Sequence, residues 1–579
     1  MVLLLAGGLA AWLAGRPGGL AQTTARTRAS LLGAAGAVAG GGLAATYALV
    51  VLFGGASEHT MVSCGALGCL ALSIDHLSAL LLLPVCLVPA LVAIFGAGTL
   101  VGRRAQPTER PGASWLAYDV LVACGALAIV ARSTALLVVA WEGMALAASL
   151  LVGWAREAWP LWPGRSVPER NSAWHWLLEP QVAPLAQTAV AAQVAFFLLL
   201  GPEGPADFRS PPGAGVADEA AGLLFIVALI GFGATVVLAT RAGPAASATP
   251  PHVPAVLPAV LIPAASYTLL TGTLMLGQPD PWWGPVAAGL GACAMVLGAL
   301  GARRADDLGR LTAWTGGQHA AAILAASGLG LVALDARLPA VALLAFGAVL
   351  LHTLATALFL PLLALATGAI AQATHTHALA RLGGLRRGMR DTLSAALAGG
   401  LAGAGLPPLN AVPGLLLALV AAILALASFQ PLPALAGGVV VAGMAPALVL
   451  ATAAWARALG DVFLGHPRSG EADSAREVAL PLRVPMHLLT ALCLAVAVFP
   501  PLVFLAAARP AIALAARAGV GLAGAVDLAL LLLGWAGNIA LMLLLVAVAL
   551  TGFLWLRGRR RPHPVAAEDS SPGVGPGAP

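Results

Sequence analysis

The sequence predicts an all-α polytopic membrane protein of about fifteen transmembrane helices. Three observations carry that fold class. The 579 residues are 60% hydrophobic and only 9% charged, where soluble domains carry about 25% charged residues. Mean hydropathy is +0.92. Apolar runs of spanning length recur from one end of the chain to the other, and a bilayer core needs about 20 such residues for each helix.

The runs fall at residues 2–15, 30–53, 76–98, 114–131, 134–154, 181–200, 219–240, 253–276, 283–302, 311–334, 338–371, 391–427, 433–456, 484–507 and 525–556. No basic region precedes the first, so it reads as a span rather than a cleaved leader. The connection at 155–180 carries Trp159, Trp162, Trp174 and Trp176, which suits a segment lying on the membrane interface. The runs 338–371 and 391–427 are too long for one straight crossing. The second contains Gly405-Leu406-Pro407-Pro408-Leu409-Asn410, and a proline pair breaks a helix. A broken span lining a polar pathway is a recurrent transporter device. Residues 562–579 read as a disordered tail.

Charge sets the orientation. With the N-terminus outside, 25 of the 30 basic residues fall in the inside connections and the C-terminal tail. The positive-inside rule expects that asymmetry, so the C-terminus is expected to be cytoplasmic, in a bacterial inner membrane. The densest groups are Arg381, Arg386, Arg387 and Arg390, and the run at 557–561. They read as solvated basic connections, and the net charge of +6 follows from topology rather than from a nucleic-acid partner. All 30 basic residues are Arg. Arg stays protonated where a buried Lys can release its proton, so no lysine-based proton relay can exist in this chain.

Of the six cysteines, Cys86, Cys124, Cys293 and Cys493 lie inside spans and read as packing residues. Cys64 and Cys69 fall in a connection assigned to the outside, where an oxidising environment allows a disulfide. No metal-ligand spacing, phosphate loop or catalytic constellation is readable. No cofactor, metal or catalytic residue is therefore assigned, and a standalone enzyme is disfavoured.

Few ionisable residues lie inside the spans. Glu142 sits near the middle of Leu136–Trp154, where an acidic group costs roughly 2.5–3.5 kcal/mol on insertion scales. Residues kept at such a cost are functional or paired, or else neutral and hydrogen-bonded in a bundle. His319 and His352 suit proton exchange, because the unperturbed imidazole titrates near neutrality; packed core histidines are the alternative. His352, Thr356 and Leu360 share one helix face, so a path along it meets His352 and then an apolar gap. Asp75, His76 and Asp119 lie near span starts and read as interface or capping positions.

Seven stretches together resemble a known family: SIDHLSALLLL (73–83), VVAWEGMALAASLLV (138–152), LIGFGATVVL (229–238), DDLGRLTAWTGGQHAAAIL (306–324), LLHTLATALF (350–359), ALARLGGLRRGMRDT (378–392) and AGAGLPPLNAVPG (402–414). In this order they resemble the antiporter-like, proton-translocating membrane subunits of NADH:quinone oxidoreductase (complex I). The L-type chain, hydrogenase-4 component B and the formate hydrogenlyase membrane subunit are the nearest forms. The resemblance implies two inverted five-helix repeats, each with a broken helix. They fall at residues 114–276 (helices 4–8) and 283–456 (helices 9–13), preceded by helices 1–3 in 1–113 and followed by helices 14–15 in 484–561. It also implies a relay in which a glutamate on the fifth span pairs with a lysine on the seventh, with further lysines on the eighth and eleventh spans and a charge on the broken twelfth.

Glu142 matches the family glutamate, and His319 a histidine of some members. The lysine positions fall at Thr235, at Pro263 (or Ser266), and at Leu360, and the broken-helix charge falls near Leu415. The expected proton pathway is therefore Glu142, His319 and His352 with water, beside the broken-helix motif Gly405, Pro407, Pro408 and Asn410. The expected function is that of a membrane subunit of a complex I-like or hydrogenase-4-like respiratory assembly, translocating protons as partner subunits transfer electrons. Its partners would be other membrane and peripheral subunits and the lipid bilayer, with no nucleic acid. Two alternatives stay open: a structural subunit that has lost pumping, or the membrane chain of a bicarbonate or cation transport system.

Overall fold

Apolar runs bounded by Pro, Asp or Gly set most of the helix limits. The computed structural model describes residues 1–15, 22–54, 59–65, 68–100, 111–132, 134–158, 250–275 and 279–559; elements are numbered in chain order over these. The N-terminal group is α1 (Val2–Ala14), α2 (Gln22–Phe53), α3 (His76–Leu100), α4 (Pro111–Val130) and α5 (Thr134–Ala158). Then come α6 (His252–Met275), α7 (Trp283–Arg304), α8 (Leu308–Asp335) and α9 (Pro339–Thr374). They are followed by α10 (Arg390–Gly403), α11 (Ala411–Leu426), α12 (Pro431–Phe463) and the single turn α13 (Gly470–Ser474). The chain closes with α14 (Leu480–Val498), α15 (Pro500–Ala515) and α16 (Leu522–Arg559). Eleven described helices are long and apolar enough to cross a membrane, and the chain is a multi-pass membrane protein. The expected spans at 181–200 and 219–240, the Trp-rich connection and the tail lie outside the described residues.

Local chemistry explains the ends. Asp307 caps α8, its Oδ1 accepting from the backbone N–H of Gly309 at 2.8 Å and of Arg310 at 3.2 Å. Asp75 caps α3 reciprocally: Ser78 N–H donates to Asp75 Oδ1 at 2.7 Å, and Asp75 N–H donates to Ser78 Oγ at 2.7 Å. Pro339 and Pro431 open α9 and α12, where a missing N–H is harmless.

Packing is centred on α9, which touches α3, α6, α8, α10, α11, α14, α15 and α16. The most apolar stretches of α8 and α9 are wholly buried, whereas α16 is mostly exposed. Small residues bring backbones together. A Cβ on Gly291 of α7 would stand 2.4 Å from the Ala325 backbone nitrogen of α8, and one on Gly328 of α8 would stand 2.3 Å from that of Ala288 of α7.

Three features differ from the sequence reading, and the length of α9 agrees with it. Residues 338–371, read as too long for one straight crossing, belong to the single 36-residue helix Pro339–Thr374, which carries Pro361 within it. It measures about 54 Å at 1.5 Å per residue and so outruns an apolar layer of about 30 Å. The expected span 484–507 divides into α14 and α15 at Phe499 (φ −115°, ψ 48°), because the Pro500-Pro501 pair drives the preceding residue out of the helical region. The connection before α3 contains an antiparallel hairpin, β1 (His59–Gly65) and β2 (Gly68–Ile74), whereas the other described elements are helices. Asp119 is neither a cap nor an interface residue: it is the ninth residue of α4 and fully buried. The break at 404–410 follows the sequence reading. Gly405 holds a left-handed φ of +69° there, which glycine tolerates without strain.

Candidate functional site

The broken segment between α10 and α11 abuts the middle of α9, and most of the buried polar groups of the C-terminal half gather around this contact. Gly414, in the first turn of α11, lets that helix lie on the His352 backbone; a Cβ there would stand 2.8 Å from its nitrogen. His352 reaches across to α8, its Nε2 3.0 Å from His319 Nδ1. His319 Nε2 lies 3.0 Å from the Gly403 carbonyl at the end of α10. The imidazoles are 1% and 3% exposed, and the Phe359 ring closes on His319 edge-on at 4.9 Å between centroids.

This geometry sets the tautomers. A carbonyl only accepts, so His319 Nε2 carries the hydrogen and donates it to Gly403. In neutral His319, Nδ1 is then an acceptor, so His352 Nε2 donates to it. In that tautomer His352 Nδ1 carries a lone pair and makes no close hydrogen bond, the Ala411 backbone being the polar group this imidazole meets besides His319. Chemically, two imidazoles so joined can pass a proton from one ring to the other.

Other polar groups surround it. Asn410 Nδ2 donates to the Ala355 carbonyl at 3.1 Å, while Asn410 Oδ1 and Gln318 Oε1 are buried without partners. Thr353 Oγ1 donates to Ser266 Oγ of α6 at 3.0 Å, and Thr356 Oγ1 donates to the Thr353 carbonyl at 2.9 Å. Trp455 Nε1 of α12 donates to Thr315 Oγ1 at 3.1 Å and walls the break opposite Gly403. Thr353 and His352 are consecutive on α9, so their side chains diverge: the hydroxyl link runs to α6 and the imidazole link to α8.

His319 and His352 are therefore brought together beside the broken-helix motif, and Glu142 is not among them. It sits on α5, half-buried where the sequence reading expected enclosure, and among the described residues it makes no ion pair. Its neighbour Trp141 ties α5 to α6 through Nε1 donating to Thr268 Oγ1 at 3.0 Å. Leu360 packs toward Gly316 and Leu415 toward Gly405, both as buried apolar fillers, and Pro263 is buried within α6. Thr235 lies outside the described residues. No cluster of three His, Cys, Asp or Glu able to hold a metal occurs among the described residues. Sequence reasoning missed the bond to Gly403, because a backbone acceptor has no signature in the side-chain string, and it missed Thr353. The only signal for Thr353 was a second hydroxyl residue next to His352.

The site is therefore a buried imidazole pair at a broken helix, inside a bundle of long apolar helices. Residues 214–435 match the family model described as NADH:quinone oxidoreductase/Mrp antiporter, TM. The chain is 32% identical over 322 residues to hydrogenase-4 component B of Escherichia coli (strain K12), a match covering 53% of this chain and 47% of that protein. It is 30% identical over 244 residues to formate hydrogenlyase subunit 3 of the same organism, covering 42% and 40%. Each match thus spans about half or less of those relatives. A chain from respiratory complex I of Thermus thermophilus with bound NADH shares the fold at a TM-score of 0.65 and 21% identity, over 90% of this chain and 99% of that one. Over these stretches the chain is similar to the antiporter-like membrane subunits, and it shares their fold.

Proposed function

We propose that this chain is a membrane subunit of a complex I-like or hydrogenase-4-like assembly and takes part in proton translocation, electron transfer being carried out by partner subunits. The observation that carries this is the His352–His319–Gly403 line at the helix break. It supports a relay in which an imidazole pair does the work that lysine does elsewhere in the family. Glu142 belongs to the same pathway, on α5. We place residues 114–276 and 283–456 as the two five-helix repeats and 1–113 and 484–561 as flanking helices, in a bacterial inner membrane with the C-terminus cytoplasmic. In this reading water bridges the interval between Glu142 and the imidazoles, with the Thr353–Ser266 hydroxyl link tying α9 to α6 beside it.

The test begins with mild-detergent purification of the tagged chain from its native membrane. Hydrogenase-like or NADH-dehydrogenase-like partners are expected; a soluble zinc protein in their place would favour bicarbonate transport. Proton uptake by vesicles holding the purified assembly should then fall at least several-fold in His352→Leu and in Glu142→Gln. Undiminished uptake in both variants overturns the relay. A second reading, a structural subunit without pumping, draws on the apolar side chains at Leu360 and Leu415 and on Pro263. It expects an intact assembly whose electron transfer moves no protons through this chain.

A further inference from the structure

A second ionisable group is buried far from the histidines. Asp119 lies on the face of α4 that packs against α1, with 0% of its surface exposed, and neither carboxylate oxygen has a hydrogen-bond partner. Room for it exists because α1 presents Gly8: a Cβ there would stand 3.2 Å from Asp119 Oδ2 and 3.1 Å from the Leu116 Cα. The same face of α4 is fastened on both sides. Tyr118 Oη donates to the Pro89 carbonyl of α3 at 2.6 Å. Trp115, one turn away, stacks on His252 of α6 with ring centroids 5.5 Å apart and an interplanar angle of 4°.

The ionisable groups on the packed elements leave the carboxyl unpaired. Helix α1 has no charged side chain. Arg26 and Arg28 of α2, His76 of α3, Glu142 of α5 and His252 of α6 do not pair with it, and the hydroxyl of Tyr118 is turned to Pro89. A carboxylate stripped of water needs a cation, a set of donors or a proton. The first two are absent around Asp119 among the described residues. The third completes the group: a neutral carboxylic acid is tolerated where its anion is not.

We propose that Asp119 is a proton-binding site of this chain, built between α1 and α4 and separate from the histidine pair. The proposal rests on the N-terminal helices alone and stands whether or not the histidines relay protons. It also fits Gly8, where a Cβ would crowd the acid at 3.1–3.2 Å, and it gives the N-terminal helices a titratable group of their own.

Infrared spectroscopy of the purified full chain in lipid bilayers at neutral pH tests it. The carbonyl stretch of a protonated carboxylic acid is resolved from carboxylate bands. In protein labelled with carbon-13 at aspartate carboxyls, part of that stretch should shift, which separates Asp from Glu. The shifted component should be missing from labelled Asp119→Asn. If labelling of the wild-type chain moves no protonated-acid band, Asp119 is ionised and the proposal fails, whether or not the variant folds. A shifted band that persists in Asp119→Asn assigns the proton to another aspartate and overturns it equally.

Discussion

The His319–His352 bond gives the most direct energetic prediction, through His319→Ala, His352→Ala and the double variant. Side-chain hydrogen bonds between membrane helices couple by about 0.6 kcal/mol on average and about 1.7 kcal/mol at most. This bond is 3.0 Å long and enclosed by Phe359. It continues into a second bond to Gly403. We therefore expect a coupling of about 1–1.7 kcal/mol, in the upper part of that range, or about five- to fifteen-fold in an unfolding equilibrium. The single variants should be unequal. His319→Ala strands both the Gly403 carbonyl and the His352 N–H, at about 1–3 kcal/mol each. His352→Ala strands only His319 Nδ1. The assay is reversible unfolding of the purified chain in mixed micelles as denaturing detergent is raised. A coupling below about 0.3 kcal/mol, the scatter expected of independent sites, would refute the hydrogen-bonded pair. So would a larger loss in His352→Ala.

Three further outcomes are expected. Glu477 accepts from the Asp391 and Thr392 backbone N–H groups and from Thr392 Oγ1, capping α10 from a distant connection; Glu477→Ala should lower stability by about 1–2 kcal/mol, and hydrogen exchange should quicken in the first turn of α10, whereas unchanged exchange there argues against the cap. His377 lies in the connection after α9, and burial pushes its pKa below the ordinary histidine value while Asp307 opposes that more weakly. A histidine held neutral in the fold contributes stability that is full above the unfolded value of about 6.5 and is lost as pH falls from there toward the folded value; His377→Asn should flatten this acid dependence, and an unaltered pH profile counts against it. The hairpin register sets Cys64 opposite Cys69, one pair beyond the Gly65–Gly68 pair at the turn; we expect a disulfide there, so a membrane-impermeant thiol reagent should label these residues only after reduction, and labelling of untreated cells would remove the bridge.

Much of the architecture was legible because the bilayer constrains it so strongly. Spans had to be long, apolar and helical, and the break at Gly405–Asn410 announces itself through its proline pair and glycine. The division at Phe499 was also present in the string, as Pro500-Pro501, but an apolar run conceals a break that costs no polarity. The continuity of α9 through Pro361 was not legible, since a buried helix can absorb a proline when its neighbours satisfy the freed carbonyl. Asp119 shows the same limit from the other side. A carboxylate near the start of a helix resembles a cap until a helix from elsewhere in the chain, here α1, is known to pack over it.

What the sequence determined by itself is a composition without lysine, a multi-pass helical fold, and an ionisable set reduced to Glu142, His319, His352 and a few acids near span ends. Those follow from residue identity and from local rules of helix length and termination. The tertiary structure alone decided which of them meet. His319 and His352 are 33 positions apart and share a hydrogen bond because α8 and α9 pack side by side, and the acceptor that orients them is a carbonyl 84 positions from His319. Glu142 and Asp119 lie elsewhere because α5 and α4 face other neighbours. Proximity across helices depends on how small residues let backbones approach, and that is a property of pairs of surfaces that no single stretch of sequence contains.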